Sequence, residues 1–463
     1  MNHLHVQAAY IVSAACFILS LMWMSHPSTA RRGVLVGELG MLLAIVSALM
    51  LKEVVSYELI AAALLLGSAI GAPMAYLMPM TAIPQRTALS HAFGALAVAL
   101  IGVVEFGKLA HAGAGFSFAS GALMFEMLLG LLTCTASLVA FAKLQELMPT
   151  RPILFKGQTL LNLAVFLAAV GLAATLAMHP QGGLLLAAFI ALAALFGILL
   201  VTPIGGADMP TVIALLNAYA GLAASAMGFA LGNQLLVITG ALDGASGFIL
   251  ALIMCKAMNR SFANVMFGGF GQVAAIAALG GEARHVRSFS VEEAAMHLEH
   301  ANSVVIVPGY GMAVAQAQHK VSELYQALLT KSVDVRFAIH PVAGRMPGHM
   351  NVLLAEANVP YELLVEMDAI NGDLPNTDVA LVIGANDVVN PAARDDSASA
   401  VAGMPIIEVD RARSVMVIKR SMNPGFAGIE NELYHLDKTH MLFGDAKAFV
   451  SGMIKEINGG SPG

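Results

Sequence analysis

The chain is short of charge: Asp, Glu, Lys and Arg make up 12% of its 463 residues, while 58% are hydrophobic and the mean hydropathy is +0.77. That balance excludes a water-soluble globular protein of this size, because the apolar surplus exceeds what one core can bury and must face lipid. Cysteine is scarce as well. Cys16, Cys134 and Cys255 all fall inside apolar runs, which argues against a disulfide framework and for buried thiols. Scattered thiols without paired intramembrane histidines also argue against haem or iron–sulfur ligation, and so against a quinone-reducing membrane oxidoreductase. The first apolar run has His3 and His5 ahead of it, with no Lys or Arg, and no small-residue cleavage pattern behind it. It is expected to be a retained membrane span rather than a secretory leader. No internal repeat or low-complexity tract is evident.

The charge that is present is unevenly spread. Residues 1–282 hold 10 of the 24 Lys and Arg and 9 of the 30 Asp and Glu, leaving 14 basic and 21 acidic residues for 283–463. Two solvents are implied. A crossing helix needs about 20 mostly apolar residues. That template fits nine times, over 6–24, 34–51, 57–78, 88–107, 121–142, 159–178, 184–202, 211–231 and 234–256, with Pro, Gly and charge clusters between the segments. Alternate loops differ in charge: Arg31, Arg32, Arg86, Lys143, Arg151, Lys156, Lys256 and Arg260 gather on the side of the C-terminal domain, against Lys52 and Lys108 on the other. The bias predicts an exterior N-terminus and a cytoplasmic C-terminal domain.

After Arg260 the periodicity changes through the glycine-rich joint Phe267-Gly268-Gly269-Phe270-Gly271. The expected domains are a transmembrane domain over 1–260, a linker over 261–289 and a soluble domain over 290–463. In the last of these, short β-branched runs alternate with helical patterns: Ser303–Val307, a helix to about Leu329, Val333–Ile339, a helix near Met350–Ala357, then Val379–Ile383, Pro405–Val409 and Val415–Ile418. The fold class follows as a polytopic α-helical membrane bundle joined to an α/β, doubly wound, Rossmann-like parallel sheet.

The run Val304 to Ala315 reads as a strand, a tight turn and the start of a helix, with Gly309, Tyr310, Gly311, Met312, Ala313 and Val314 at the place where such sheets receive pyrophosphate. Val314 stands where a third glycine is usual, so an ordinary strand-to-helix turn also fits. The strand that would carry an acidic grip on a ribose 2′-hydroxyl ends instead at His340. Without that carboxylate a 2′-phosphate meets no repulsion, and Lys419, Arg420 and Ser421 follow another strand where they could bind it. The same pair also fits a solvated strand end. Two further strand-end loops are candidates, Gly384-Ala385-Asn386-Asp387 and His340 to Arg345. Arg345 could reach pyrophosphate; Asp387 could bind a cofactor or merely cap a helix.

An ionisable group inside a span is costly and suggests function. His91 in the fourth segment suits a proton shuttle, or an interfacial anchor. Asn217 and Ser137 could extend a proton path, or glue helices together. Asp208, in Gly205-Gly206-Ala207-Asp208-Met209-Pro210, could face the soluble domain or cap the next helix; Glu126 and Asp243 are less interpretable.

Several segments together resemble one family: Gly205 to Pro210, Met254 to Ser261, Pro308 to Gln318, His340 to Glu356, Val382 to Ala393, Lys419 to Asn423 and His440 to Lys447. The chain is similar, from Tyr10 onward, to the beta subunit of proton-translocating nicotinamide nucleotide transhydrogenases. The resemblance implies hydride transfer from NADH to NADP⁺ driven by protons crossing a bacterial inner membrane. It implies NADP(H) on this chain and NAD(H) on an alpha subunit of one or two polypeptides, in a dimer of alpha-beta units, with no metal and no nucleic acid partner. No side chain is expected to perform the hydride chemistry itself. The family's proton-path positions fall on His91 and Asn217, with Ser137 as a further membrane position and Asp208 at the domain interface. Its NADP(H) positions fall on Gly309 to Val314, His340, Arg345, Gly384 to Asp387, Lys419 to Ser421 and Asp445, with a lid from Gly425. Phe426 stands where a lid tyrosine is usual, and Asp243 where the family is usually uncharged. The rival from another class is a transporter or channel regulated by a C-terminal nucleotide-binding domain; it would need a substrate or ion site of its own, and the sequence offers neither a carbonyl filter nor paired intramembrane charges.

Overall fold

The computed structural model describes residues 3–51, 56–112, 115–180, 183–259, 262, 286–346, 348–397, 399, 401–425 and 427–459. The expected linker 261–289 and the lid residue Phe426 lie almost wholly and wholly outside them. Among the described residues, nine helices are long and apolar enough to cross a membrane: α1 (His3–Met24), α2 (Pro27–Leu49), α3 (Tyr57–Leu77), α4 (Ile83–His111), α5 (Phe118–Leu144), α6 (Gln158–Met178), α7 (Leu184–Val201), α8 (Met209–Leu231) and α9 (Gln234–Ala257). Local chemistry sets several of the starts. Pro27, Pro84 and Pro210 sit in the first turns of α2, α4 and α8, where a missing N–H costs nothing. Ser117 and Ser120 close a capping box at α5, and the Asn233 side chain caps α9.

The bundle is built around α5 and α8, each 67% buried along its spanning window, whereas α3 has no buried residue at all. Without water to drive helices together in lipid, close approach depends on small residues. A Cβ on Gly130 would meet the Ala95 carbonyl of α4 at 2.9 Å, and one on Gly221 of α8 would strike the backbone of Gly244 in α9. Lys143 is fully buried and donates to the carbonyls of Val201 at 3.2 Å, Thr202 at 2.6 Å and Ile204 at 2.6 Å, satisfying the carbonyl end of α7.

The C-terminal domain is a seven-stranded, wholly parallel sheet of β1 (Arg287–Ser288), β2 (Ser303–Pro308), β3 (Asp334–Ile339), β4 (Leu364–Glu366), β5 (Val379–Ile383), β6 (Ser414–Lys419) and β7 (Thr439–Phe443), in the order β1-β7-β6-β5-β2-β3-β4. Both faces are covered, so the inner strands read as continuous apolar runs; every residue of β5 is buried. One face packs Leu324, Leu328, Leu353 and Val450, the other Ile370, Ile407 and Leu433.

The Pro405–Val409 run, expected as a strand, joins no ladder. Its backbone groups are taken elsewhere: the Pro405 carbonyl accepts from His340 at 2.8 Å, the Ile406 carbonyl from Asn371 Nδ2 at 2.9 Å, and the Glu408 N–H donates to Asn371 Oδ1 at 3.0 Å. Ile406 and Ile407 are nonetheless buried, and that burial produced the strand-like pattern. The short strands β1 and β4, and β7 near the C-terminus, were not expected.

Candidate functional site

The chain runs outward from β2 through β3 to β4, then returns to β5 beside β2 and continues to β6 and β7. The loops leaving β2 and β5 therefore diverge at a topological switch point, where open parallel sheets bind ligands. Backbones meet there. The Gly309 N–H donates to the Ile383 carbonyl at 2.9 Å and the Gly311 N–H to the Gly384 carbonyl at 2.9 Å. A Cβ on Gly311 would lie 2.7 Å from Gly384 Cα, and Gly384 itself has φ +66°, a conformation that favours glycine. The two glycines of the Gly-x-Gly turn thus let two strand-end loops cross.

A cleft of about 260 Å³ opens above that crossing. Its walls come from the ends of β2, β5 and β6 and from the start of the last helix: Gly311, Val314, Gly384, Ala385, Asn386, Lys419, Arg420, Ser421 and Gly425 among the expected residues. Ala315, Ile418, Asn423, Pro424, Gly444 and Ala446 also line it and were not singled out from sequence. Gly444 had a readable signal, since it precedes an aspartate that caps the final helix, Ala446–Ile457.

Cations gather on one wall. Lys419 Nζ donates to the Asn423 carbonyl at 2.6 Å and lies 4.7 Å from the Tyr434 ring centroid; burial pushes its pKa down from the usual lysine range. Arg420 pairs with Asp445 at 3.0 Å, the guanidinium mostly in solvent and the carboxylate half-exposed. Asp445 accepts the N–H groups of Lys447 at 3.1 Å and Ala448 at 3.2 Å, which with the Arg420 guanidinium hold its carboxyl below the ordinary range. Behind the cleft, Asn386 Oδ1 accepts from the Tyr434 hydroxyl at 2.6 Å and from Asn431 Nδ2 at 3.1 Å, while Asn386 Nδ2 is buried with no partner among the described residues. Tyr434 and Asn431 escaped notice from sequence because their role is to hold another side chain. Asp387 accepts the Ala427 N–H at 3.0 Å, tying the segment after Gly425 to the β5 loop.

The other expected positions lie off the cleft. Met312 and Ala313 are buried in the core behind the turn. His340 is 1% exposed, donating from Nε2 to Pro405 and accepting the Val342 N–H on Nδ1 at 3.2 Å. Burial lowers its pKa to about 4, so it stays neutral. Arg345 turns away to the helical half: its guanidinium donates to the Leu144 carbonyl at the end of α5 at 2.6 Å, meets the Glu146 carboxylate at 3.3 Å and covers the Tyr310 ring at 4.3 Å. The Arg345 N–H donates to His349 Nδ1 at 3.0 Å, and burial, then the nearby guanidinium, lower the His349 pKa to about 4. Leu144 O also accepts from Gln85 of α4 at 3.3 Å. Met80, in the turn before α4, packs against the sheet core, and Asn259, after α9, donates to the Ala402 carbonyl at 2.7 Å.

Within the bundle, Asn217 of α8 donates from Nδ2 to Asp243 of α9 at 3.0 Å, and the His91 imidazole of α4 lies beside that pair with its Nδ1 buried and without a hydrogen-bond partner among the described residues. Ser137 and Thr133 of α5 are fully buried, and so is Glu126. Gly102 of α4 leaves room for the Glu126 side chain, since a Cβ there would lie 3.2 Å from Oε1. Asp208 starts α8 in a loop tied to the α5–α6 connection by the Gly206 N–H to Thr150 carbonyl bond of 2.8 Å.

A membrane bundle fastened to a parallel sheet with a cation-walled cleft at its switch point defines a class: membrane-embedded proteins that carry a dinucleotide-type domain. The family model for the NAD(P) transhydrogenase beta subunit matches residues 6–456 of this chain. Two curated relatives named NAD(P) transhydrogenase subunit beta, one from Rhodospirillum rubrum and one from a named strain of it, are each 47% identical over 470 residues, covering 99% of this chain and 100% of theirs. The chain belongs to the NAD(P) transhydrogenase beta subunit family.

Proposed function

We propose that the cleft holds NADP(H), and that the chain, together with an alpha subunit holding NAD(H), couples hydride transfer between NADH and NADP⁺ to proton passage through the helical half. The residues suit that nucleotide. Lys419, Arg420 and Ser421 offer donors for a 2′-phosphate, β3 ends at a neutral histidine instead of a carboxylate, and Asn386 Nδ2 is a buried donor awaiting an acceptor. When bound, the nicotinamide supplies the hydride-accepting carbon; the protein's contribution is to hold and orient it.

The observation that carries the coupling is the anchorage of Arg345. Exchange between two nicotinamides is nearly thermoneutral, so protons can drive it only by changing how tightly the oxidised and reduced nucleotides are held. The loop bearing Arg345 and the turn bearing Tyr310 are in contact, and Arg345 grips the end of α5, which carries Ser137, at a carbonyl shared with α4, which carries His91. Movement of α4 against α5 therefore reaches the turn bearing Tyr310 through Arg345, beside the Met80 contact with the sheet core. One proton crossing 100 mV supplies roughly 2.3 kcal/mol, enough to bias a two-state loop.

In this reading His91 carries the proton, Asn217 orients it, 261–289 is a linker, Asp208 marks the bundle end that meets the soluble domain, and Gly425 with Phe426 belongs to a lid. The positive-inside bias supports a cytoplasmic sheet domain in a bacterial inner membrane, and two alpha-beta units are proposed to pair. The test is titration of the full chain in detergent with NADPH and with NADH: a preference for NADPH of about tenfold or more is expected, and a clear preference for NADH overturns the assignment. Full proton pumping by the assembled His91→Ala enzyme would remove His91 from the path.

A further inference from the structure

Asp243 is a carboxylate placed partway along α9, where a charge is expensive and needs a reason. The helix crossing that positions it is tight. Gly221 of α8 meets the backbone of Gly244, and Gly240 meets the backbone of Ser225, so α8 and α9 touch main chain to main chain on both sides of Asp243. A Cβ on Gly247 would lie 3.0 Å from Asn217 Nδ2, which shows the amide nitrogen of Asn217 turned toward α9. There it donates to Asp243 Oδ1 at 3.0 Å. The same Asn217 lies beside His91 of α4, whose Nδ1 is buried without a hydrogen-bond partner among the described residues.

We infer that Asp243 is a positioning residue for proton transfer: by accepting from Asn217 Nδ2 it fixes which end of the amide faces His91. With the amide nitrogen, and so both of its N–H bonds, turned to α9 between Asp243 and Gly247, the atom left for His91 is the oxygen, which can only accept. His91 must then offer an N–H, so Asn217 selects the proton-bearing nitrogen of the ring. Without the carboxylate the amide is free to turn over and offer its own N–H, which binds a bare ring nitrogen instead. The inference rests on the proposed path through His91 and Asn217, and the experiment separates the two.

The enzyme assembled with its alpha subunit in proteoliposomes is assayed for protons moved per hydride transferred, with NADPH binding as the check on folding. Asp243→Leu, which cannot accept, is expected to lower the ratio about tenfold, the weight of a hydrogen bond to a charged group. Asp243→Asn, which keeps an accepting oxygen, is expected to recover most of it. In an Asn217→Ala background, Asp243→Leu is expected to have no further effect. An undiminished ratio for Asp243→Leu, a loss in Asp243→Asn as deep as in Asp243→Leu, or a full Asp243→Leu effect in the Asn217→Ala background overturns the inference. Normal pumping by Asn217→Ala itself overturns the path on which it rests.

Discussion

Two loops leave the same edge of the sheet and face different partners. The turn after β2 commits its glycines to the loop after β5 and lines the cleft; the loop after β3 buries His340 and His349 and sends Arg345 to the end of α5. A strand-end position fixes where a loop starts and leaves open whom it serves. The cleft-lining loop is built by removing side chains so that backbones approach, whereas the loop that meets α5 is built by satisfying buried side chains one by one.

The largest effect is expected from Gly384→Val. The site combines φ +66° with contact against the Gly311 backbone, so the substitution is expected to destabilise the cleft by about 4 kcal/mol and abolish NADPH binding, read by calorimetry and melting. Next comes acid. His340 and His349 take up protons near pH 6.5 in the unfolded chain but only near 4 in the folded one, so between those values the unfolded state binds more protons. Stability is full above the higher value and is lost as pH falls through the window, by about 3 kcal/mol per histidine at its acid end. Denaturant titration at both ends should show it, and His340→Gln should shrink the difference.

Arg345→Ala should separate the loops. Loss of its bonds to Leu144 and Glu146 is expected to weaken docking by about 2 kcal/mol, seen as faster amide exchange in 340–349 of the full chain. NADPH affinity should change by less than about threefold; a fall of tenfold or more would return Arg345 to the cleft. The smallest effect is expected from Arg420→Ala. An exposed guanidinium contributes modestly, so NADPH affinity should drop about tenfold with NADH binding unchanged.

Much of this was legible in the sequence because it depends on local rules. The spans follow from apolar length, and the strands β2, β3, β5 and β6 from β-branched runs; the glycines at 309 and 311 mark a turn whatever its ligand. Pro405–Val409 misled because burial without alternating ladder bonds looks like a strand until the side chains of Asn371 and His340 are seen to take its backbone. The direction of Arg345 was hidden because its partner, Leu144, is a backbone carbonyl 201 positions earlier, and a carbonyl carries no sequence signature. The pairing of Asn217 with Asp243 depends on how two helices cross, which composition does not encode.

Lys143 gives the Arg345 contact its mechanical meaning. Its ammonium bolts the end of α5 to three carbonyls at the end of α7, one residue before the carbonyl that Arg345 holds. A helix end left to fray would absorb a pull by unwinding. A bolted one resists unwinding, so in the proposed coupling a pull at Leu144 is expected to tilt α5 together with α7.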